Sequence, residues 1–438
     1  MANNELNSLL HGMQAGSTAS RIARVIGEHG SLSAAQVARL TGLARSTVSV
    51  ALAELKRSGI VVDAASAAAE AKGVGRPATA LTLNPDAGTC VGVHLSLEEI
   101  SLVIADVSHS IIFEQTIEVE RDYSPQWTAR MVRDTIHAAY RRHGLSLSGL
   151  LGVGVAVSGP VSPGGIVQRA SILPTWAGVN VPEVFAEAFD RPVFADNESN
   201  CAALAELMWG VAAGEDDFVL FKIDIAVGGA VVHDGRVITG IAGGAGEFGH
   251  IGIDPDGPLC RCGNRGCLEI TASFMRPLAH LCALHGRRID IVEAIALAKG
   301  GDVGARRLIA DTAEQAGRGL GIIATILNPP LIVVAGRLAL AGDLLLELLA
   351  AAYEKHTLIK SREMSPQTRT RLVIGKLTAN DALLGAIGLV LRRHALSPAG
   401  HSASVERRKG QGPNAAAGGD DPSRGSGRQV AARRASPA

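Results

Sequence analysis

The sequence predicts an α/β protein preceded by a small helical unit with a hairpin. Two observations predict the α/β body. The chain is rich in Ala, Gly, Val and Leu, while aromatic residues make up only 3% of it, a composition suited to closely packed strands and helices. Short apolar runs bounded by Gly, Pro and polar residues recur through the middle of the chain, with helical patterns between them. A third observation predicts the unit in front: two helical patterns joined by a short turn, then two strand-like segments.

The 438 residues are enough for two or three domains. Lys and Arg together number 42, as do Asp and Glu. The balance excludes a chain that binds polyanions over its whole surface, so any nucleic-acid affinity must be local. The chain contains no apolar stretch long enough to span a bilayer. "MANNELNSLLHGMQAGSTAS" lacks the charged start and long apolar core of a secretory signal. The expectation is a cytoplasmic protein with no membrane partner. Six cysteines are few for this length, so a disulfide framework is not expected.

Residues 1–85 form the first expected domain. In "SLSAAQVARLTGLARSTVSVALAELKRSGIV", Ser33 and Gln36 have capping-box spacing. Val37 and Leu40 are expected on the inner face of the first helix, and Gly42 at a sharp turn. Val48, Leu52 and Leu55 recur at helical spacing and should face the core. Arg45, Ser46, Thr47 and Ser49 are left near the exposed start of the second helix, behind Ala44, a poor N-cap. A recognition helix presents such positions to base edges in a major groove, and hydroxyls and Arg suit bases and phosphates. "GIVVDAASAAAEAKGVGRPATALTLNP" then reads as a wing, with Lys72 and Arg76 at a glycine-rich tip thin enough for a minor groove. The unit reads as a winged helix-turn-helix.

In the middle block, "CVGVHL", "ISLVIADV" and "GLLGVGVAVSG" read as strands. "RPVFADNESN" is a strand feeding polar residues, "AALAELMWG" a helix start, and "DFVLFKIDIAVGGAVVHDGRVI" two strands and an Asp-Gly turn. After residue 267 the chain reads as mostly helical, with one buried strand, "LIVVAG", and a last helix, "NDALLGAIGLVLRRH". Residues 397–438 are Gly, Ser, Pro, Ala and charge. They hold too few apolar groups to offset ordering entropy and are expected to be a disordered tail.

The strongest chemical signal is "GHIGIDPDGPLCRCGNRGCLE". His250, Cys260, Cys262 and Cys267 follow the pattern H-x9-C-x-C-x4-C. Three thiolates and one imidazole complete a tetrahedral zinc shell. With no open position, the zinc would be structural. Gly263 and Gly266 let the backbone fold around the ion.

This stretch, with "AGGAGEFGHI" before it and "NESNCAALAE" upstream, resembles the signature of the ROK family of repressors, open reading frames and kinases. The resemblance covers roughly Cys90 to His394. It implies an actin-like, ribonuclease H-like two-lobed sugar-kinase fold with a sugar in the cleft. The first lobe would be residues 86–198, and the second 199–396 with the zinc motif. It also implies sugar contacts from Asn197, Glu198, Glu247, His250 and Glu269, the imidazole touching both sugar and zinc. "SILPTW" resembles the family's substrate loop, with Trp176 expected over an apolar sugar face.

The family's kinases use an Asp where this chain has Glu198. Their first phosphate loop, D-x-G-G-T, is replaced by "VHLSLEEI", and Glu98 and Glu99 would repel ATP. Their second loop, G-T-G-x-G-G-G, reads "DIAVGGA", with Asp224 and Ala226 where glycine amides would approach phosphate. The expected function is a sugar-responsive, DNA-binding transcriptional repressor without catalysis, acting on operator DNA as a homodimer or homotetramer. The enzyme alternative is a glucokinase-like ROK kinase that phosphorylates a hexose with ATP. The third is a metal-stabilised binding module without DNA activity.

Overall fold

Three helices, α1 (Thr18–His29), α2 (Ala34–Thr41) and α3 (Arg45–Arg57), and three short strands, β1 (Leu32–Ser33), β2 (Val61–Asp63) and β3 (Ala80–Leu83), make up the first unit of the computed structural model. Residues 18–29, 31–57, 59–64, 80–107, 109–360, 363–365, 368–377 and 380–396 are described. Lys72, Arg76 and the tail expected from residue 397 lie outside them.

Local sequence explains how α2 starts and stops. The Ser33 hydroxyl accepts the Gln36 amide, and the Gln36 side chain accepts the Ser33 amide. Gly42, at φ 67°, ends the helix in the left-handed region. Ile22, Ile26, Val37, Val48, Leu52 and Leu55 form the core. Leu40 does not join them; it is 45% exposed. The buried stripe of α2 is Val37, Ala38 and Thr41, and Leu40 lies roughly 100° around the helix from its centre. The strands pair antiparallel in the order β1-β3-β2.

Two five-stranded sheets follow. The first holds β4 (Thr89–Leu95), β5 (Glu99–Asp106), β6 (Ile111–Glu118), β7 (Leu150–Val157) and β8 (Val193–Asn197) in the order β6-β5-β4-β7-β8. The second holds β9 (Phe218–Ile223), β10 (Val227–His233), β11 (Arg236–Ile238), β12 (Leu331–Ala335) and β13 (Arg371–Ile374) in the order β11-β10-β9-β12-β13. Each has the same plan: three antiparallel strands in sequence, then two parallel strands added beside the first. β7 and β12 are buried along their whole length, as continuous apolar runs should be. The stretch expected to hold two strands makes three, because the chain turns at Asp234 and Gly235 and adds β11.

Between the strands lie α4 (Pro125–Arg142), α5 (Val181–Ala186) and α6 (Glu198–Trp209), and later α7 (Leu268–Ala272), α8 (Met275–His285), α9 (Ile291–Lys299), α10 (Val303–Leu327) and α11 (Asp343–His356). The last helix, α12 (Asp381–Leu396), returns to the first sheet and packs along α6, β4 and β7. Among the described residues, no helix is long and apolar enough to cross a membrane.

The α6–α12 contact is backbone against backbone. A Cβ on Gly385 of α12 would sit 1.8 Å from the Cys201 carbonyl oxygen of α6, and one on Gly154 of β7 would sit 1.8 Å from the Ala386 carbonyl oxygen. The far end of α6 reaches the first unit. The Trp209 indole donates to the Gly27 carbonyl at 2.9 Å and stacks on His109. One continuous core joins Ile22 and Ile26 to Leu204, Met208, Ile387 and Val390. Replacing Gly385 with Ala must push α12 off α6, so Gly385→Ala should lower stability by about 3 kcal/mol or more in urea denaturation. A variant as stable as the parent would contradict this packing.

Candidate effector cleft and metal centre

The cysteine motif folds as a tight hairpin. Gly252 bridges Cys267, and Leu259 bridges Arg265. Gly266, at φ 56°, has no room for a side chain; a Cβ there would meet the Asp254 carbonyl oxygen at 1.7 Å. His250 Nδ1 lies 3.6 Å from Cys260 Sγ, and Cys262 Sγ lies 3.6 Å from Cys267 Sγ. The four ligand atoms all fall within 4.8 Å of one another. Tetrahedral bonds of about 2.3 Å to sulfur set ligand atoms about 3.8 Å apart, so the group fits a metal ion. Nδ1 faces the cysteines, which leaves Nε2 for the cleft.

Five expected sugar residues converge from different elements. Asn197 ends β8 and caps α6, accepting the Ser199 amide at 2.7 Å. Its Nδ2 donates to the Gly159 carbonyl at 2.8 Å and to Glu247 Oε1 at 3.4 Å. Glu247 and His250 flank a short turn, and Glu269 sits in the first turn of α7, two residues after Cys267. Burial pushes the Glu247 carboxyl up to about 7; Glu269 and Glu198 add to the rise and Arg261 opposes it.

Glu198 sits in a different environment. It accepts from Ser158 Oγ at 2.9 Å, lies 2.8 Å from His94 Nε2, and lies 3.6 Å from Lys222 Nζ. Burial alone would raise its carboxyl, but Lys222 and His94 outweigh burial and hold it well below the usual range. Burial also works against the Lys222 ammonium, and Glu198 and Asp381 more than compensate. Asp381, at the start of α12, completes this group 4.0 Å from Lys222.

The second replaced loop holds another ion pair. Arg337 donates to Asp224 from Nη2 at 2.6 Å, from Nε at 3.0 Å, and from its own amide at 2.9 Å. The carboxylate occupies the donors that follow β12.

Sequence reasoning missed His94, Ser158, Lys222, Asp381, Arg337 and Arg261. His94 was visible as the residue standing where D-x-G-G-T begins. Trp176 is corrected: it is fully buried, packed between Tyr123 and Phe185 in the core of the first lobe. A ring this large is more stable in an apolar pocket than over a wet cleft. Arg45, Ser46, Thr47 and Ser49 are all exposed along the first half of α3.

A family model described as the ROK family matches residues 90–393, more than half of the chain. The chain belongs to the ROK family. A second model, for the MarR family, matches residues 11–69, so a MarR-type winged helix precedes the ROK domain. A xylose repressor of Bacillus spizizenii is 30% identical over 69% of this chain and 77% of that protein. A xylose repressor of Caldicellulosiruptor bescii is 27% identical over 82% of this chain and 92% of its own length. The crystal structure of a ROK family transcriptional regulator, a homolog of the E. coli MLC protein, superposes with a TM-score of 0.68. Its identity is 23%, over 88% of this chain and 98% of that one, and it bears on the fold.

Glu247 makes stability depend on pH. Its carboxyl titrates near 7 in the folded chain against an ordinary 4.5, so between those values the folded state holds a proton that the unfolded state has lost. Stability therefore falls as pH rises through that window. Glu247→Gln should flatten this part of the urea-midpoint profile from about pH 5 to about pH 7. A profile unchanged by the substitution would contradict the assignment.

Proposed function

We propose that this chain is a sugar-responsive transcriptional repressor of carbohydrate-metabolism genes, with a ROK cleft used as a sensor and a structural zinc. The observation that carries the non-catalytic part is the fate of Glu198. A general base must accept a proton near neutral pH. This carboxylate, at the place of the kinase base, has Oε2 engaged by Lys222, His94 and Ser158, and these partners hold it well below the usual carboxylate range, which weakens it as a proton acceptor. The Asp224–Arg337 pair puts a carboxylate where phosphate would need donors.

Relatives named xylose repressors make xylose the first sugar to test. It would be held by Asn197, Glu247, His250 and Glu269, with Glu198 bordering the same cleft. The zinc would be held by His250, Cys260, Cys262 and Cys267 and would fix the imidazole tautomer and the hairpin that ends at Glu269. On the DNA side, Arg45, Ser46, Thr47 and Ser49 would read the major groove, with Lys72 and Arg76 proposed for the wing. A homodimer or homotetramer in the cytoplasm would pair two winged helices on a partly palindromic operator.

Three experiments test this reading. Freshly purified, reduced protein should contain about one zinc per chain, and Cys260→Ser or Cys267→Ser should lose it together with the sugar response. Protein free of zinc would refute the metal assignment. Selection of genomic fragments should enrich a palindromic sequence, while a coupled assay with ATP and the best-binding sugar should give no sugar phosphate. Zinc-dependent sugar phosphate would restore the kinase, and no enriched sequence would favour a binding module without DNA activity.

A further inference from the structure

Arg261 sits between two of the metal-ligand cysteines and turns its guanidinium into the cleft. Nε donates to Glu269 Oε1 at 2.9 Å, Nη1 donates to the Ala170 carbonyl at 2.6 Å, and Nη2 lies 3.3 Å from His250 Nε2. Ala170 follows β7 in the first lobe, while Glu269 and His250 belong to the second. One planar group therefore joins the two lobes across the cleft mouth. In doing so it covers two of the four side chains proposed to hold the sugar, Glu269 and His250.

We infer that Arg261 is a built-in stand-in for sugar hydroxyls, and that a neutral sugar binds by displacing it. The inference rests on the sugar-cleft reading above. Occupancy supports it: Nε already holds Glu269 Oε1 at 2.9 Å and Nη2 already faces His250 Nε2 at 3.3 Å, so the guanidinium stands at the polar atoms that a hydroxyl would need. Chemistry supports it too. Glu269 accepts donors, which both a guanidinium and a sugar hydroxyl offer, so one can replace the other at the same oxygen. Exposure makes the exchange feasible. The Arg261 side chain is 34% exposed and can swing to water, whereas the Lys222 side chain, at 12%, is enclosed with Glu198 and Asp381.

The inference also sets the ligand class. A neutral polyol competes with Arg261, so removing the guanidinium tightens it. A sugar phosphate or sugar acid would use Arg261 as a partner, so removal would weaken it.

The test uses the full-length chain, its Arg261→Ala and Arg261→Lys variants, and equal zinc content verified by metal analysis. Xylose, glucose and their phosphates are titrated calorimetrically. Arg261→Ala should bind the neutral sugar roughly ten-fold tighter, with Arg261→Lys between it and the parent. A second readout needs no sugar: amide hydrogen exchange in residues 168–172 should rise in Arg261→Ala, because the Ala170 carbonyl loses its clamp. Weaker or unchanged sugar binding in Arg261→Ala would overturn the inference, as would unchanged exchange in that segment. If no variant binds any sugar, the cleft reading fails, and the exchange data still decide whether Arg261 ties the lobes.

Discussion

The arrangement rests on one close approach, the seating of α12 on α6 with no side chain between their backbones at Gly385. Helices that meet this closely hold one fixed position, because moving either forfeits many contacts at once. α6 is about 18 Å long and buried for most of that length. Its first residue follows Asn197 in the cleft, and its last, Trp209, bonds to Gly27 in the winged helix. Sensing cleft and DNA-binding unit are thus attached to opposite ends of one clamped rod. The core that begins at Ala19 runs without a break to Val390, so the winged helix shares its packing with α6 and α12.

Electrostatics divides the cleft into a locked part and an open part. Glu198 and Glu247 are the same side chain in neighbouring positions, with opposite behaviour. Lys222 and His94 hold Glu198 ionised, while burial outweighs the Arg261 guanidinium and pushes Glu247 up to about 7. The locked group also includes Asp381 of α12, so the ion cluster and the helix clamp reinforce one another. The open group of Asn197, Glu247, His250 and Glu269 is engaged at His250 and Glu269 by Arg261, whose part-exposed side chain can give way to a ligand. Asp224 and Arg337 satisfy each other, with Asp224 also facing Lys222 of the locked group.

Much of this was legible in the sequence, for identifiable reasons. The cysteine spacing pointed to the cluster of His250, Cys260, Cys262 and Cys267 because a short hairpin brings all four to one point. The Ser33–Gln36 box and Gly42 marked helix ends because caps act locally. β6 escaped notice because its charged residues interrupt the apolar run at a sheet edge, and β13 because four residues carry little pattern. Trp176 was misplaced because a substrate-loop resemblance says nothing about which way a ring turns. Arg261 and Lys222 were missed because their roles depend on partners that are far away in the sequence, such as Ala170 and Glu198. Long-range charge pairing leaves no local pattern to read.

The central claim is that occupancy of the cleft and the grip on DNA are linked through this shared framework. The most direct measurement is a sugar titration of the full-length chain with and without its selected operator duplex, paired with an operator titration at zero and saturating sugar. Linkage requires the two affinity ratios to be equal, and a repressor released by its inducer requires each ligand to weaken the other. The account predicts equal, unfavourable ratios of roughly five-fold or more. A sugar that binds the cleft with the same affinity whether or not operator is bound would contradict it.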